Sequence, residues 1–170
     1  MASVDVLRRM RADDVPAVME VQEPTSVAGL SGVFPQDTHP FPREVLAGRW
    51  REEIDDPTIE CFVIERAGAV AGFAALADDE VKHFGVALEE WGSGLASAAH
   101  DELLARMAAA GVTRPWLRCY AANPRGRSFW EKHGWVETGE RSRGPMPPHA
   151  ELLTYAYDPD SSGTGTTVAS

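Results

Sequence analysis

The sequence predicts a mixed α/β fold, one mostly antiparallel central sheet with about four helices packed on it. Three observations carry this reading. Residues 59–86 resolve into three short apolar strands separated by turns. Before them, apolar residues recur at helical spacing in two segments that follow a single strand. After them, helical and strand patterns alternate to the end of the chain.

Taken in order, residues 4–7 form the first strand, and a helix follows with Asp13 or Asp14 as its N-cap. Val15, Val18 and Met19 share the buried face of that helix. Residues 23–42, rich in Pro, Gly and Ser, show no sustained period and read as a long loop, of a length that is usually functional or mobile. A second helix opens at Pro42 and runs to about Ile54, with Val45, Leu46, Trp50 and Ile54 on one stripe. The meander comprises residues 59–65, 70–76 and 80–86, with turns at Ala67–Gly68 and Asp78–Asp79. A helix over 93–110 places Leu95, Ala99, Leu103 and Met107 four residues apart, with Gly111 as its stop. Residues 116–120 form a strand, Asn123 starts the last helix, and 135–138 and 151–157 are the closing strands around a loop at 139–150. The organisation expected is a single domain over 1–158 and a small, polar, disordered tail over 159–170.

Composition narrows the function. The net charge of −10 over 170 residues lacks the basic stripe a nucleic-acid partner requires. There is no apolar run of about 18 residues and no signal-peptide core, so no membrane span and a cytoplasmic location are expected. The two cysteines, Cys61 and Cys119, lie in apolar runs and read as buried free thiols, with no motif for a disulfide, a metal or a nucleophile.

The most informative segment is "FGVALEEWGSGLASAAHDELLARM", residues 84–107. A strand ends, Gly92 and Gly94 follow, and a long helix begins. Glycines let backbone approach a ligand, and free N–H groups at a helix start favour a phosphate. There is no Lys-Ser/Thr of an NTPase loop, and Ser97 interrupts G-x-G-x-x-G. Alone, the segment reads equally as a structural turn. Further on stands "NPRGRSFWEKHGW", residues 123–135. The two blocks in this order resemble the GNAT superfamily of acyl-CoA N-acyltransferases, over residues 4 to about 157. Its first pattern, [RQ]-x-x-G-x-[GA], falls on Trp91, Gly94 and Ala96, with Gly92 as the usual additional glycine. Its second, N-x-x-A-x-x-F-Y-x-x-x-G-F, falls on Asn123, Gly126, Phe129, Trp130, Gly134 and Trp135.

The resemblance implies a GNAT-like sheet splayed between its fourth and fifth strands, with acetyl-CoA as co-substrate in the gap. It implies that the backbone of Phe84, Gly85 and Val86 lines the pantetheine arm, that Trp91, Gly92, Ser93, Gly94, Leu95 and Ala96 cradle the phosphates, and that Asn123, Arg127 and Trp130 form the opposite wall. Arg125 reads as a solvated surface residue. Three positions depart from the family pattern. Trp91 replaces Arg or Gln, Gly126 replaces Ala at a slight expected cost in helix stability, and Trp130 replaces Tyr. The last touches mechanism, because an indole N–H donates but does not ionise and cannot be a general acid.

Acetyl transfer to an amine needs a free lone pair, a polarised carbonyl and a leaving thiolate. Members of the family this chain resembles often place a Glu or His base on the fourth strand, which makes Glu80 and His83 the candidates here. Strict alternation groups Glu80 with Lys82, Phe84 and Val86, leaving His83 on the other face unless a bulge intervenes. Tyr120 is the phenol nearest in sequence to stand in for the missing Tyr. In this fold the acceptor pocket is usually built from the two long loops, here bringing Phe34, His39, Phe41 and Met146, with Glu23, Asp37 and Glu151 as attractors for an ammonium. The activity implied is N-acetyl transfer to a primary amine of a small molecule such as an amino sugar, a polyamine or an amino acid derivative. An acyl-CoA-binding sensor and an acetyltransferase of protein N-termini or lysines are the alternatives. Family members are often dimers, so a homodimer is compatible with the resemblance.

Overall fold

In the computed structural model, which describes residues 5–160, the three apolar segments of 59–86 form the centre of a seven-stranded sheet. They are β2 (Ile59–Arg66), β3 (Ala69–Ala77) and β4 (Glu80–Val86), paired antiparallel in sequence order. β1 (Leu7–Arg9) adds antiparallel to β2. On the other side come β5 (Trp116–Tyr120), β7 (Glu151–Tyr157) and β6 (Trp135–Arg143), giving the order β1-β2-β3-β4-β5-β7-β6. Only the β4–β5 pair is parallel, because α3 (Leu95–Ala109) intervenes and returns the chain across the sheet.

Each sheet face carries its own core. On one, α1 (Val15–Gly29) and α2 (Arg43–Asp55) bury Val15, Val18, Met19, Leu46 and Trp50 against Val63, Phe73 and Ala75. On the other, α3 and α4 (Pro124–Lys132) bury Leu95, Leu103, Met107 and Trp130 against Phe62, Ala74, Leu117 and Tyr155. The helical stripe read from residues 95–107 is the one that packs.

Four boundaries differ from expectation. The first strand starts at Leu7, with residue 4 outside the described residues, as are 161–170 of the predicted tail. Asp14 does not cap α1 with its side chain. Its carboxylate instead accepts from the Arg11 N–H at 2.8 Å and from both terminal nitrogens of Arg8 at 2.9 Å. The predicted loop at 23–42 begins only after Gly29, since α1 runs straight through Pro24. Proline there removes one helical hydrogen bond, and tertiary packing of Val21 and Gln22 with a Thr25 Oγ1–H donated to the Val86 carbonyl (3.2 Å) holds the helix regardless. Finally, β6 continues past residue 138 to Arg143, with an irregularity around Gly139, where φ is 93°. As a strand at the sheet edge with almost every residue exposed, it has no alternation by which to recognise it.

The deepest polar contact in the α2 core joins Trp50 Nε1–H to Gln22 Oε1 at 2.7 Å, both residues being buried. Trp50→Phe keeps most of the ring packing and strands the glutamine acceptor. The expected result is a loss of about 1–3 kcal/mol, read as a lower urea midpoint with an unchanged slope.

Candidate active site

The site begins where a pairing stops. β4 and β5 match at Glu80↔Trp116 and Val81↔Leu117 and at no later position, so the strands part after Val81. On the β3 side, Ala75 faces His83 and Leu76 faces Val81, leaving Lys82 as an extra, unpaired residue. This bulge bends the strand and resets its alternation. Strict alternation over 80–86 is therefore corrected. Val81, Phe84 and Val86 pack on the α3–α4 core, while Lys82 and His83 turn to the α1–α2 side. Glu80, next to Val81, takes that same side as His83.

The backbone of β4 has a free edge in this gap. Ala87 N–H bonds to the Ala71 carbonyl, which fixes the phase of the β3–β4 ladder. Gly85 and His83 therefore spend their backbone groups on β3, while Phe84 and Val86 direct theirs toward the departing β5. The Val86 carbonyl is taken by Thr25, and the N–H groups of Phe84 and Val86 remain for a ligand along the strand. Gly85 is required for a different reason: a Cβ there would lie 2.6 Å from the Phe73 ring.

Past β4, Gly92 and Gly94 both adopt positive φ, 83° and 93°, and a side chain at either would point into open space. Gly94 is the N-cap of α3. The Ser93 hydroxyl donates to Glu90 (2.6 Å) and accepts the Leu95 N–H (3.2 Å). Among the described residues the Ala96 and Ser97 N–H groups have no acceptor, and they stand at the positive end of a fifteen-residue helix. Arg66, the last residue of β2, anchors the loop through Glu90 at 2.8 Å. A cavity of about 340 Å³ adjoins it, lined by Gly29, Gly32, Trp91, Ala122 and Arg125 among others. The free amides, the open glycines and this cavity fit a pyrophosphate with an extended arm.

The opposite wall is the start of α4. Asn123 Oδ1 accepts the Gly126 N–H at 3.0 Å, and Pro124 occupies the first turn. Gly126 is more than a weak helix former. A Cβ there would meet Asn123 Nδ2 at 2.5 Å and Cys119 Sγ at 3.2 Å, so the alanine of the family pattern does not fit this packing. The two arginines exchange their expected places. Arg127 is committed to Tyr155 Oη (3.1 Å) and Glu137 (3.1 Å), a network that ties α4 to β6 and β7. Arg125 instead lies over the Trp91 indole, 3.7 Å from the ring centre, on the rim of the cavity. The tryptophan that replaces a polar family residue thus holds a cation beside the cradle.

Trp130 is buried in an aromatic cluster with Phe84 (5.3 Å), Phe129 (5.0 Å) and Trp135 (5.5 Å). Among the described residues its N–H has no hydrogen-bond partner. Behind it, Trp135 Nε1–H donates to His100 Nε2 at 2.9 Å, and burial keeps that imidazole neutral. Cys119 lies in the same core with its thiol pushed up to about 12 by burial, and Cys61 is held at about 11. Neither is a nucleophile at neutral pH.

On the α1–α2 side, His83 stacks edge-on against Trp50 (5.0 Å), and its Nε2 lies 2.8 Å from Glu53 Oε2. Lys82 Nζ lies 3.1 Å from the other Glu53 oxygen. Burial opposes ionisation of Glu53, but His83 and Lys82 outweigh it and hold the carboxyl at about 2. Burial lowers the His83 pKa, so the ring is neutral, with Nε2–H donating to Glu53 and Nδ1 carrying a free lone pair. Glu53 was hidden from sequence reading inside the charged run "REEID", where only its place on the buried stripe of α2 distinguishes it.

The remaining candidates separate. Glu80 sits at the closed end of the gap, 3.2 Å from Arg118. Tyr120 lies against Phe34 (5.6 Å) and over Gly144, its phenol pushed up by burial, and it occupies the β5 face opposite the Cys119 core. It does not adjoin Trp130. Phe41 and Met146 both pack at the edge of the α1–α2 core, which brings the two long loops to one side of the sheet. His39 is held on Thr38 Oγ1 at 3.0 Å.

Solved structures with this architecture include the spermidine N-acetyltransferase of Vibrio cholerae in complex with CoA and spermine. It matches with a TM-score of 0.67 at 16% identity, over 92% of this chain and 96% of that one. The ribosomal-protein-S18-alanine N-acetyltransferase of Escherichia coli matches at 0.65 and 19%, over 89% and 92%. The PaiA N-acetyltransferase of Thermoplasma acidophilum in complex with coenzyme A matches at 0.64 and 14%, over 87% and 96%. At such identities the likeness is one of fold. No protein of curated function matches the sequence. Residues 21–135, more than half of the chain, match the Acetyltransferase (GNAT) family. The chain therefore belongs to the GNAT family, acetyl-CoA-dependent N-acetyltransferases.

Proposed function

We propose that the protein transfers the acetyl group of acetyl-CoA to the primary amine of a small molecule by direct attack within a ternary complex. The observation that carries this reading is the juxtaposition, on four consecutive β4 residues, of a neutral imidazole at His83 and unpaired backbone N–H groups at Phe84 and Val86. A base and an oxyanion donor then stand on one strand, beside the same gap. Acetyl-CoA supplies the activated thioester; the chain supplies position and proton management.

Gly92, Gly94 and the free amides of Ala96 and Ser97 hold the phosphates, with Arg125 as a charge at the rim. Asn123 and Trp130 bound the arm on the α4 side. The Phe84 N–H polarises the thioester carbonyl and takes up the charge that develops on its oxygen. His83 Nδ1 removes one proton from the incoming ammonium, and Glu53 stabilises the imidazolium that results. The second proton, still on nitrogen after attack, passes to the departing sulfur, so no phenol is required at Trp130. Glu80, tied to Arg118, serves the β4–β5 junction. Phe34, Phe41 and Met146 bound the acceptor on its apolar side. An acyl-CoA sensor is the second reading, motivated by the missing tyrosine, and it requires binding without release of free thiol across an amine panel.

Gly94→Asp brings a side chain and a negative charge into the cradle, and coenzyme A binding measured by calorimetry should be lost while circular dichroism is retained. Unchanged affinity would remove the cradle. His83→Gln should lower kcat by roughly 10²- to 10⁴-fold. Because burial lowers the His83 pKa, wild-type kcat should hold to below the ordinary histidine value of 6.5 and fall only as the ring protonates. In Glu53→Gln the carboxylate that favours the imidazolium is gone, so the acid limb should move to still lower pH. A limb that moves upward, or does not move, would exclude the pair as base and orienter.

A further inference from the structure

Among the described residues, Arg49 at the proposed acceptor wall is a cation without a counter-charge. Arg43 is paired with Glu20 and Glu23, Lys82 with Glu53, and Arg118 with Glu80. Arg49, one turn before Glu53 on α2, has no ion pair and no hydrogen bond among the described residues. Its Nε is enclosed without any acceptor. Glu53 stands at the spacing that would satisfy it, but both carboxylate oxygens are engaged by His83 and Lys82. Arg49 directly precedes Trp50, whose ring packs on His83 at 5.0 Å, and its charge acts on both the His83 ring and the Tyr120 phenol. The Tyr120 hydroxyl is likewise without a hydrogen-bond partner among the described residues.

An enclosed guanidinium N–H without an acceptor is costly, and a protein of net charge −10 has acidic residues in excess that would supply one. Left unpaired beside a base, it marks the place of an anionic group that arrives with the ligand. A planar guanidinium fits a carboxylate through two parallel N–H donors, and the Tyr120 hydroxyl adds a third. We infer that the acceptor is an amine bearing a carboxylate close to it, an α-amino acid or its derivative, with Arg49 and Tyr120 holding the carboxylate while the amine faces His83. Phe34, Phe41 and Met146 are then neighbours for an apolar side chain. A polyamine places a second positive charge against Arg49 and is disfavoured.

This inference rests on the acetyltransferase reading, and the test separates the two. Thiol release from acetyl-CoA is measured with L-leucine, L-methionine and L-phenylalanine, with their decarboxylated amines, and with spermidine. The expected order is amino acids first, by roughly tenfold or more in kcat/KM, with spermidine last. Arg49→Gln should raise KM for the amino acids roughly 10- to 100-fold, leave the acetyl-CoA KM in place, and erase the preference over the decarboxylated amines. Arg49→Lys should restore part of it. Decarboxylated amines or spermidine preferred by the wild type, or an equal loss on both series in Arg49→Gln, would overturn the carboxylate site. If no amine releases thiol, calorimetry of the same amino acids on the protein–coenzyme A complex decides. Binding that disappears in Arg49→Gln sustains the site without the activity, and no binding to the wild type overturns it.

Discussion

The short parallel contact between β4 and β5 is the constraint on which the rest of the site depends. Two matched positions hold the strands together at Glu80 and Val81, and the bulge at Lys82 turns β4 away immediately afterwards. Had pairing continued, the backbone groups of Phe84 and Val86 would be spent on β5. The gap is kept open from below by side chains: Phe84 lies on Phe129 at 5.6 Å and edge-on to Trp130, so α4 is wedged under the departing strand. The Arg118–Glu80 pair clamps the closed end. A sheet defect, an aromatic wedge and a surface ion pair together make a cleft from what would otherwise be continuous sheet.

The same bulge organises the electrostatics. It turns Lys82 and His83 together toward α2, where Glu53 meets both. That three-group cluster satisfies a buried carboxylate and fixes the imidazole tautomer, and it also keeps Glu53 from pairing with Arg49 one turn earlier. Acid lability follows from the signs. The folded-state pKa of Glu53 is depressed from 4.5 to about 2, so its stabilisation is complete above its ordinary value and is lost as pH falls through that interval. The lowered His83 pKa acts in the same direction, since the unfolded chain binds that proton more readily.

Much of this architecture was legible in the sequence because it rests on local rules. Meander turns, the Gly92–Gly94 break before a long helix, and the Asn123–Pro124 start of α4 each have a short-range cause. What escaped reading depends on distant partners. Pro24 reads as a terminator until Thr25 is seen bonded to Val86. β6 has no alternation because an edge strand with two wet faces needs none. The bulge at Lys82 inverts the parity by which Glu80 and His83 were sorted, and no residue type announces it. Arg125 and Arg127 are equivalent in sequence, and only Tyr155 and Glu137 on one side, with Trp91 on the other, tell them apart.

Trp130 and Trp91 are better understood together than as two separate losses of polar function. At Trp91 the indole replaces a polar side chain near the phosphates, yet it positions Arg125 by stacking, so positive charge beside the cradle is retained through a neighbour. At Trp130 the indole fills the space between Phe84, Phe129 and Trp135, and a phenol there would place its hydroxyl in or at the edge of an aromatic cluster. The proton for sulfur has another source, because nitrogen that attacks as a neutral amine still carries a proton it must lose. The closer that nitrogen is held to the thioester, the less a separate acid contributes, and close holding is what a carboxylate clamp beside His83 provides. Under the proposed carboxylate clamp, loss of the tyrosine and the unpaired Arg49 are two sides of one arrangement, in which positioning of the acceptor takes over from proton donation to the leaving group.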